Sequence, residues 1–405
     1  MTGYKPREIS KVLIEALENM PVVVLSGMRQ AGKSTLLLNQ LELRKREYIT
    51  FDDFGALESA KRNPEGLIEG KKQLTIDEAQ KYPDILNVIK QEVDRKRKPG
   101  RFLLSGSANF LLLKKVAESL AGRAVYLTLH PFTRRETQGL TKKPPAIVCF
   151  LDKGAFPKRK AKPIAWEEII KGGMPSVCLR QVKNPNIWFR GYEQTYLERD
   201  IRTLSQVADL VSFRHLLQLV ALRNTQVLNI SELARDAKLN VVTASRYLSL
   251  METSFIIKRM SPYLGNRSSR LIKSPKIYLS DTGLVSYLVG IKNLNINEAY
   301  RGTFLESYVA QNLEGIFSAY YPDAKIMYWN IQGRYEVDLI VELGNETIAI
   351  EVKNSSRWQE KDLAGIKAYL SSAKKCRAAI LAYNGRNVVK LEDKIWAVPL
   401  NLLLS

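Results

Sequence analysis

The chain has 405 residues, which predicts two to four domains, and 45% of them are hydrophobic, enough to fill several cores. Lysine and arginine number 62 against 41 acidic residues, and the net charge of +21 favours nucleic acid over an anionic membrane surface as a partner. The sparse Cys149, Cys178, Cys376, His130 and His215 argue against disulfides, zinc sites and histidine-dependent nuclease chemistry. With an amphipathic N-terminus and no apolar tract near the ~20 residues of a membrane span, we expect a cytoplasmic protein.

The first third of the chain alternates short apolar runs with helical stretches. Residues 21–26, 73–77 and 101–105 have the continuous apolar character of strands buried on both faces. This alternation predicts an α/β fold, a doubly wound parallel sheet.

A phosphate-binding loop is predicted where the first strand ends. Residues 27–34 (GMRQAGKS) match the pattern G-x-x-x-x-G-K-[ST], between a strand and a helix. The loop amides and the start of the helix would bind the phosphates of ATP. We expect Lys33 to reach the β- and γ-phosphates, Ser34 to ligate Mg²⁺, and Thr35 to contact the α-phosphate.

A carboxylate pair ends the second apolar run. Asp77 is predicted to hold Mg²⁺, mostly through water, and Glu78 to polarise the attacking water. Ser107, or Asn109 after it, is a candidate sensor of the γ-phosphate at the next strand end, and plain turn chemistry is the alternative. The predicted nucleotide contacts are Gly27, Met28, Arg29, Gln30, Ala31, Gly32, Lys33, Ser34, Thr35, Asp77 and Ser107.

Arg123 is a candidate arginine finger, acting on the nucleotide of its own chain or of a neighbouring one, and Arg29 inside the loop is another. A surface salt bridge is an equally good interpretation of Arg123.

Several motifs together resemble a family of bacterial and archaeal AAA-type ATPases, of the AAA+/STAND kind, over nearly the whole chain. In that family a C-terminal domain of uncharacterised function resembles PD-(D/E)xK nucleases. The resemblance implies an ATPase but no settled biological role. The motifs that carry it are 27–35 (GMRQAGKST), 76–83 (IDEAQKYP), 104–107 (LSGS), 120–123 (LAGR), 196–201 (YLERDI) and 280–284 (SDTGL).

A hairpin is predicted in the last α/β domain. Two alternating runs flank Gly344 and Asn345, which are typical of a two-residue turn. A tight turn pairs acidic side chains about 5 Å apart, and a bound Mg²⁺ or Mn²⁺ would neutralise them. The predicted pairs are Asp338 with Glu351 and Glu336 with Lys353.

This arrangement is that of PD-(D/E)xK nucleases, with Asp338 and Glu351 as metal ligands and Lys353 orienting the water or stabilising phosphate charge. Glu306 matches the extra helical acid of that family and is a further candidate metal ligand. The alternative is an inactive binding module with a salt-bridged surface hairpin.

The middle of the chain is predicted to carry a basic exposed insertion and helical lid, followed by a winged helix. Thr243 and Arg246 would enter a DNA major groove, and Arg267 and Arg270 would contact phosphates. The winged helix is alternatively a packing or self-association module. The predicted domains are 1–140 (ATPase core), 141–225 (basic insertion and lid), 226–290 (winged helix) and 291–405 (restriction-endonuclease-like α/β domain).

Three functions remain open at this point. The first is an ATP-dependent enzyme acting on DNA, with cutting or gripping by the C-terminal domain. The second is a nucleotide-dependent homo-oligomeric switch in signalling or defence, whose C-terminal domain binds a partner. The third is a regulator that binds DNA through its winged helix.

Overall fold

The computed structural model describes residues 3–107, 120–196, 201, 209–265, 273–291, 298–331, 334–373 and 375–405. The chain forms two compact units, Met1–Pro131 with Met251–Ile256, and Phe132–Leu250 with Ile257–Ser405. No helix within the described ranges is both long enough and apolar enough to cross a membrane.

The first unit contains a five-stranded parallel sheet in the order β2-β3-β4-β1-β5. Its three central strands are buried along their whole length, because they are continuous apolar runs covered on both faces. The predicted doubly wound sheet is confirmed. The strands are β1 (Val22–Ser26), β2 (Glu47–Thr50), β3 (Leu74–Asp77), β4 (Phe102–Gly106) and β5 (Ala124–Thr128).

Helices cover both faces of this sheet. Val22 and Val24 pack in one apolar cluster, and Val23 and Leu25 pack in another, as alternation along a strand requires. The helices are α1 (Ser10–Asn19), α2 (Lys33–Asn39), α3 (Phe54–Arg62), α4 (Pro64–Ile68) and α5 (Ile85–Arg95).

The second unit begins with helices. They are α6 (Arg134–Thr137), α7 (Ala146–Lys153), α8 (Trp166–Lys171), α9 (Pro175–Cys178), α10 (Pro185–Thr195), α11 (Leu210–Leu222), α12 (Ile230–Asp236) and α13 (Val241–Thr253).

A two-stranded antiparallel ribbon, β6 (Ile257–Met260) with β7 (Lys276–Leu279), follows α13. Helix α12 is capped by Asn229, whose side chain accepts from the Glu232 amide. Two helices and a ribbon are the elements that we predicted for this segment.

The basic segment 141–163 differs from the exposed insertion that we predicted. Its helix α7 is largely buried, and the Phe150 ring lies 4.4 Å from that of Phe156 and 5.5 Å from that of Trp396. The Ala146 amide donates to the Ser405 carbonyl oxygen at 2.9 Å. The segment is therefore fastened along the C-terminal sheet, because its apolar face completes that core.

A six-stranded mixed sheet ends the chain, in the order β12-β13-β11-β10-β9-β8. Leu343 pairs with Glu346, so the predicted two-residue turn is confirmed. Ile366 and Tyr369 of α16 pack on one face of the sheet. The elements are α14 (Thr282–Val289), α15 (Glu298–Tyr320), β8 (Lys325–Ile331), β9 (Tyr335–Leu343), β10 (Glu346–Lys353), α16 (Ala364–Ser372), β11 (Cys376–Tyr383), β12 (Val389–Lys390), β13 (Ile395–Pro399) and α17 (Leu400–Leu403).

Asp281 is a buried carboxylate that joins two parts of the second unit. It accepts from the Leu284 amide at 2.9 Å, which caps α14, and from the Gly173 amide at 2.6 Å. A Cβ atom on Gly172 would lie 2.5 Å from the Asp281 carboxylate, so this turn needs glycine. Burial raises the pKa of Asp281 to about 6, against the opposing effect of the Gly173 and Leu284 amides.

We expect Asp281→Ala to lower the free energy of unfolding of the second unit by about 2–5 kcal/mol, because two buried amides lose their acceptor. Since the folded pKa lies above 3.8, folding takes up a proton, and the contribution of Asp281 declines as pH rises from about 4 to 6. Urea unfolding followed by tryptophan fluorescence reports on this unit, since every tryptophan lies in it. Asp281→Asn should remove that pH dependence. This role would be contradicted if both variants kept the wild-type free energy of unfolding and the wild-type dependence of that energy on pH.

Candidate functional site

The candidate site lies at the carboxyl edge of the first sheet. Strands β1, β3 and β4 run parallel, so the loops that follow Ser26, Asp77 and Gly106 leave the sheet at the same edge. Ligands of open α/β sheets bind at this edge.

The loop after β1 contains three residues with positive φ, two of which are glycines. Gly27 has a φ of 150°, and a Cβ atom there would lie 2.3 Å from the Leu129 carbonyl oxygen. Gly32, with a φ of 98°, precedes α2 in a left-handed conformation. Gln30 also lies in the left-handed region, with a φ of 58°.

Lys33 folds back over this loop. Its side chain is buried, and Nζ donates to the carbonyl oxygens of Gly27 at 2.9 Å and Met28 at 3.0 Å. The loop therefore wraps around a fixed ammonium group, the charge that a phosphate would meet. Ala31 is buried, Arg29 and Ser34 are half-buried, and Thr35 is exposed.

Asp77 is buried at the end of β3 within a hydrogen-bond network. One carboxylate oxygen accepts from the Ser105 hydroxyl and, at 3.1 Å, from the Glu78 amide. The other accepts from the Tyr48 hydroxyl at 2.6 Å. Burial and Asp77 raise the pKa of Tyr48. Ser34 acts on the same pKa, so the two residues that we predicted as Mg²⁺ ligands both lie near this phenol.

Glu78 is held in a left-handed conformation, with a φ of 55°. The Gln80 amide nitrogen donates to its carboxylate and, at 3.2 Å, to the Ser107 hydroxyl. Burial raises the pKa of Glu78, and the Lys33 ammonium opposes that shift. Ser107 is therefore in the site, and Gln80 is a member that the sequence patterns did not reveal. Asn109 lies outside the described residues.

Arg123 lies at the other edge of the sheet. It directly precedes β5, whose first residue pairs with Val22 at the start of β1. Its guanidinium forms a two-bond ion pair with Asp94, at 2.6 and 2.8 Å. The phosphate-binding loop leaves from the carboxyl edge, so the structure does not bring Arg123 together with that loop. Its role as an arginine finger stays a prediction.

Arg7 supports the loop, and no motif pointed to it. The side chain is buried, and its two terminal nitrogens donate to the Ala31 carbonyl oxygen at 2.8 Å and the His130 carbonyl oxygen at 2.6 Å. It ties the loop to the residues after β5.

The second unit contains the predicted acidic hairpin. The β9–β10 ladder ends at Leu339 opposite Ile350, one position before Asp338 and Glu351 would pair. Beyond it, Asp338 accepts from the Val352 amide at 2.8 Å, and Lys353 pairs with Glu351 at 2.8 Å.

Burial, followed by repulsion from Asp338, raises the pKa of Glu351 to about 8 and that of Glu306 to about 7. Burial also raises the pKa of Asp338. These carboxylates are therefore crowded and poorly compensated.

Glu306 on α15 does not join a metal-binding trio. Its carboxylate pairs with Lys276 at 3.0 Å and accepts from the Tyr278 hydroxyl. Within the described ranges, no three Asp, Glu, His or Cys side chains are placed to hold a metal ion together. Lys276 and Tyr278 engage Glu306 in this structure, and the metal-binding role of Glu306, Asp338 and Glu351 stays a prediction.

The structure describes two of the four predicted DNA-contacting residues. Arg246 is exposed and Thr243 is half-buried on α13, with the Thr243 amide donating to the Asn240 side chain at 2.7 Å. Arg267 and Arg270 lie outside the described residues.

Comparison with known proteins places these features in a family. Residues 19–138 match the model of the AAA domain, and residues 164–295 and 301–403 match two domains of unknown function, DUF8612 and DUF4143. A Walker-type ATPase of Pyrococcus abyssi is 16% identical, with a TM-score of 0.43, over 71% of this chain and 99% of that one, which is too weak a likeness to carry an argument.

The uncharacterized protein Rv2008c of Mycobacterium tuberculosis is 32% identical over 98% of this chain and 84% of its own length. An uncharacterized Haemophilus influenzae protein is 22% identical over 70% of this chain and 73% of its own length. The chain belongs to the family of the mycobacterial protein, and its N-terminal region is a P-loop AAA domain.

Proposed function

We propose that the first unit binds ATP with Mg²⁺ and hydrolyses it. The observation that carries this proposal is the position of the Tyr48 hydroxyl, which donates to Asp77 at 2.6 Å and lies close enough to Ser34 for that side chain to act on the Tyr48 pKa. The two predicted ligands therefore lie within reach of one small group, beside the buried Lys33. A hydroxyl and a carboxylate are the hard oxygen donors that Mg²⁺ prefers.

Each side chain then has a role set by its position. The loop amides and Lys33 hold the β- and γ-phosphates, and Ser34 and Asp77 hold Mg²⁺, which neutralises charge on those phosphates. Glu78 accepts a hydrogen bond from the attacking water, oriented by Gln80.

We expect Lys33→Ala to abolish saturable ATP binding, and Glu78→Gln to keep binding while lowering the hydrolysis rate about 10²–10⁴-fold. The reason is that Lys33 meets the phosphates, whereas Glu78 acts on the water. Fluorescent-nucleotide titration and phosphate release measure the two effects. Lys45→Ala, an exposed lysine of the same unit, is the matched control. Wild-type hydrolysis by Lys33→Ala would refute the proposal.

A second candidate function is action on DNA by the second unit, favoured by the basic segment 141–163. No ion pair occupies its exposed ammonium groups within the described part of the chain. The backbone below them is fixed, since Asn401 donates to the Ala161 carbonyl oxygen at 2.9 Å and Arg134 to that of Pro163 at 3.1 Å. Exposed cations without ion-pair partners suit a phosphate backbone. The lysines are Lys142, Lys143, Lys153, Lys158, Lys160 and Lys162.

In this proposal the helix–ribbon segment 226–290, as a winged helix, adds base contacts from Thr243 and Arg246 and phosphate contacts from Arg267 and Arg270. Asp338, Glu351 and Lys353 would cut or grip the strand. A nucleotide-dependent assembly with Arg123 reaching a neighbouring chain is compatible with both functions, and sizing the protein with and without ATP tests it.

We expect the double change Lys160→Gln with Lys162→Gln to flatten the plot of log affinity for duplex DNA against log salt by about 2, because each lost phosphate contact removes about 0.9. Fluorescence anisotropy at salt concentrations from roughly 50 to 300 mM measures the slope. Lys183→Gln with Lys325→Gln, also exposed, should leave it unchanged. Equal slopes for both pairs would exclude the basic segment. Strand cleavage with Mn²⁺, if catalysed here, should disappear in Lys353→Ala.

A further inference from the structure

Lys276 is an almost fully buried lysine inside the acidic cluster of the second unit. It comes from β7 of the ribbon, and its side chain is only 5% exposed. Its ammonium group contacts Glu306 of α15 at 3.0 Å and also pairs with Glu336 of β9. Three separate elements of the chain therefore meet at one positive charge.

We propose that Lys276 is the resident cation of this cluster, standing where a second divalent ion would bind, so that Asp338 and Glu351 form a site for one divalent cation only. A buried ammonium group is stable only when charges of opposite sign compensate it, and Glu306 and Glu336 do so. Removing Lys276 would leave those two carboxylates facing each other.

One oxygen of the Glu306 carboxylate, Oε1, is already used. The oxygen that contacts Lys276 also accepts from the Tyr278 hydroxyl at 2.5 Å. An atom with two such donors has little capacity left for a metal ion. Glu306 is thus a partner of Lys276, although the sequence predicted it as a metal ligand.

The Glu351 carboxylate differs in its second oxygen. One oxygen pairs with Lys353 at 2.8 Å, whereas Oε2 is buried with no hydrogen-bond partner within the described residues. A buried unpaired carboxylate oxygen is costly, and a cation would satisfy it. Four carboxylates share two ammonium groups here, so a single divalent ion beside Asp338 and Glu351 balances the formal charge.

One divalent ion on two carboxylates, with water filling its other positions, is ordinary Mg²⁺ or Mn²⁺ coordination. The inference rests on the proposed cation role of Asp338 and Glu351, which belongs to the second candidate function. It does not rest on strand cleavage: a protein that cuts no DNA still has a defined number of bound ions.

The test counts Mn²⁺ ions on the full chain without nucleotide, by electron paramagnetic resonance titration. In wild type we expect one ion that Glu351→Gln removes and Glu306→Gln leaves bound within about threefold. Lys276→Met, which frees Glu306 and Glu336, should bind one additional ion at least about tenfold more tightly than wild type binds any second ion, a difference of about 1.4 kcal/mol.

Two controls separate charge from structure. Lys276→Arg keeps the cation and should bind Mn²⁺ as wild type does. Lys258→Met removes a lysine of the neighbouring strand β6, which pairs with Glu314 of the same helix α15, and should leave the ion count unchanged.

Three results would overturn the inference. One is a folded Lys276→Met protein that gains no ion, and another is a wild-type protein without any ion sensitive to Glu351→Gln. The third is equal loss of Mn²⁺ in Glu306→Gln and Glu351→Gln, which decides the matter even if Lys276→Met does not fold. DNA cleavage is scored separately, so its absence bears only on the second candidate function.

Discussion

Parallel pairing of β1 on both sides is the constraint on which the nucleotide site depends. Ser26 pairs with Gly106 on one side and with Thr128 on the other, so these strands end level with one another. The loop after β1 must then turn past the residues after β5, and Gly27 is the residue that lets the backbone pass the Leu129 carbonyl oxygen. The sheet aligns the strands so that the loop after β1 lies beside Asp77 and Ser107. Arg7 holds this loop to the residues that follow β5.

The sequence was sufficient for the part of the site that follows buried strands. Continuous apolar runs marked β1, β3 and β4, so the residues after them were placed correctly at one edge. The two edge strands were not predicted; both are only partly buried, and β2 also lacks a continuous apolar run. Tyr48 is on β2 and Arg123 directly precedes β5. Missing those strands therefore hid Tyr48, a member of the site, and left the edge on which Arg123 lies unpredicted.

The acidic hairpin also has features that local sequence predicts and features that depend on distant parts of the chain. Its turn followed from Gly344 and Asn345. The position where the β9–β10 ladder ends could not be predicted from the sequence. Val337 packs in the same apolar cluster as Ile340, which departs from strict alternation along β9, and the pairing of β9 with β8 is irregular nearby. Lys276 reaches the cluster from another part of the chain, and sequence spacing contains no sign of that contact. The same is true of the basic segment, whose anchors lie near the C-terminus.

One amide group links two parts of the nucleotide site. The Gln80 side chain has a single nitrogen, and it serves both the Glu78 carboxylate and the Ser107 hydroxyl. The two acceptors therefore cannot be positioned independently: a shift of the backbone after β4 by one bond length would draw the amide away from Glu78 or break its bond to Ser107. The orientation of the Glu78 carboxylate therefore depends on the position of the backbone that follows β4.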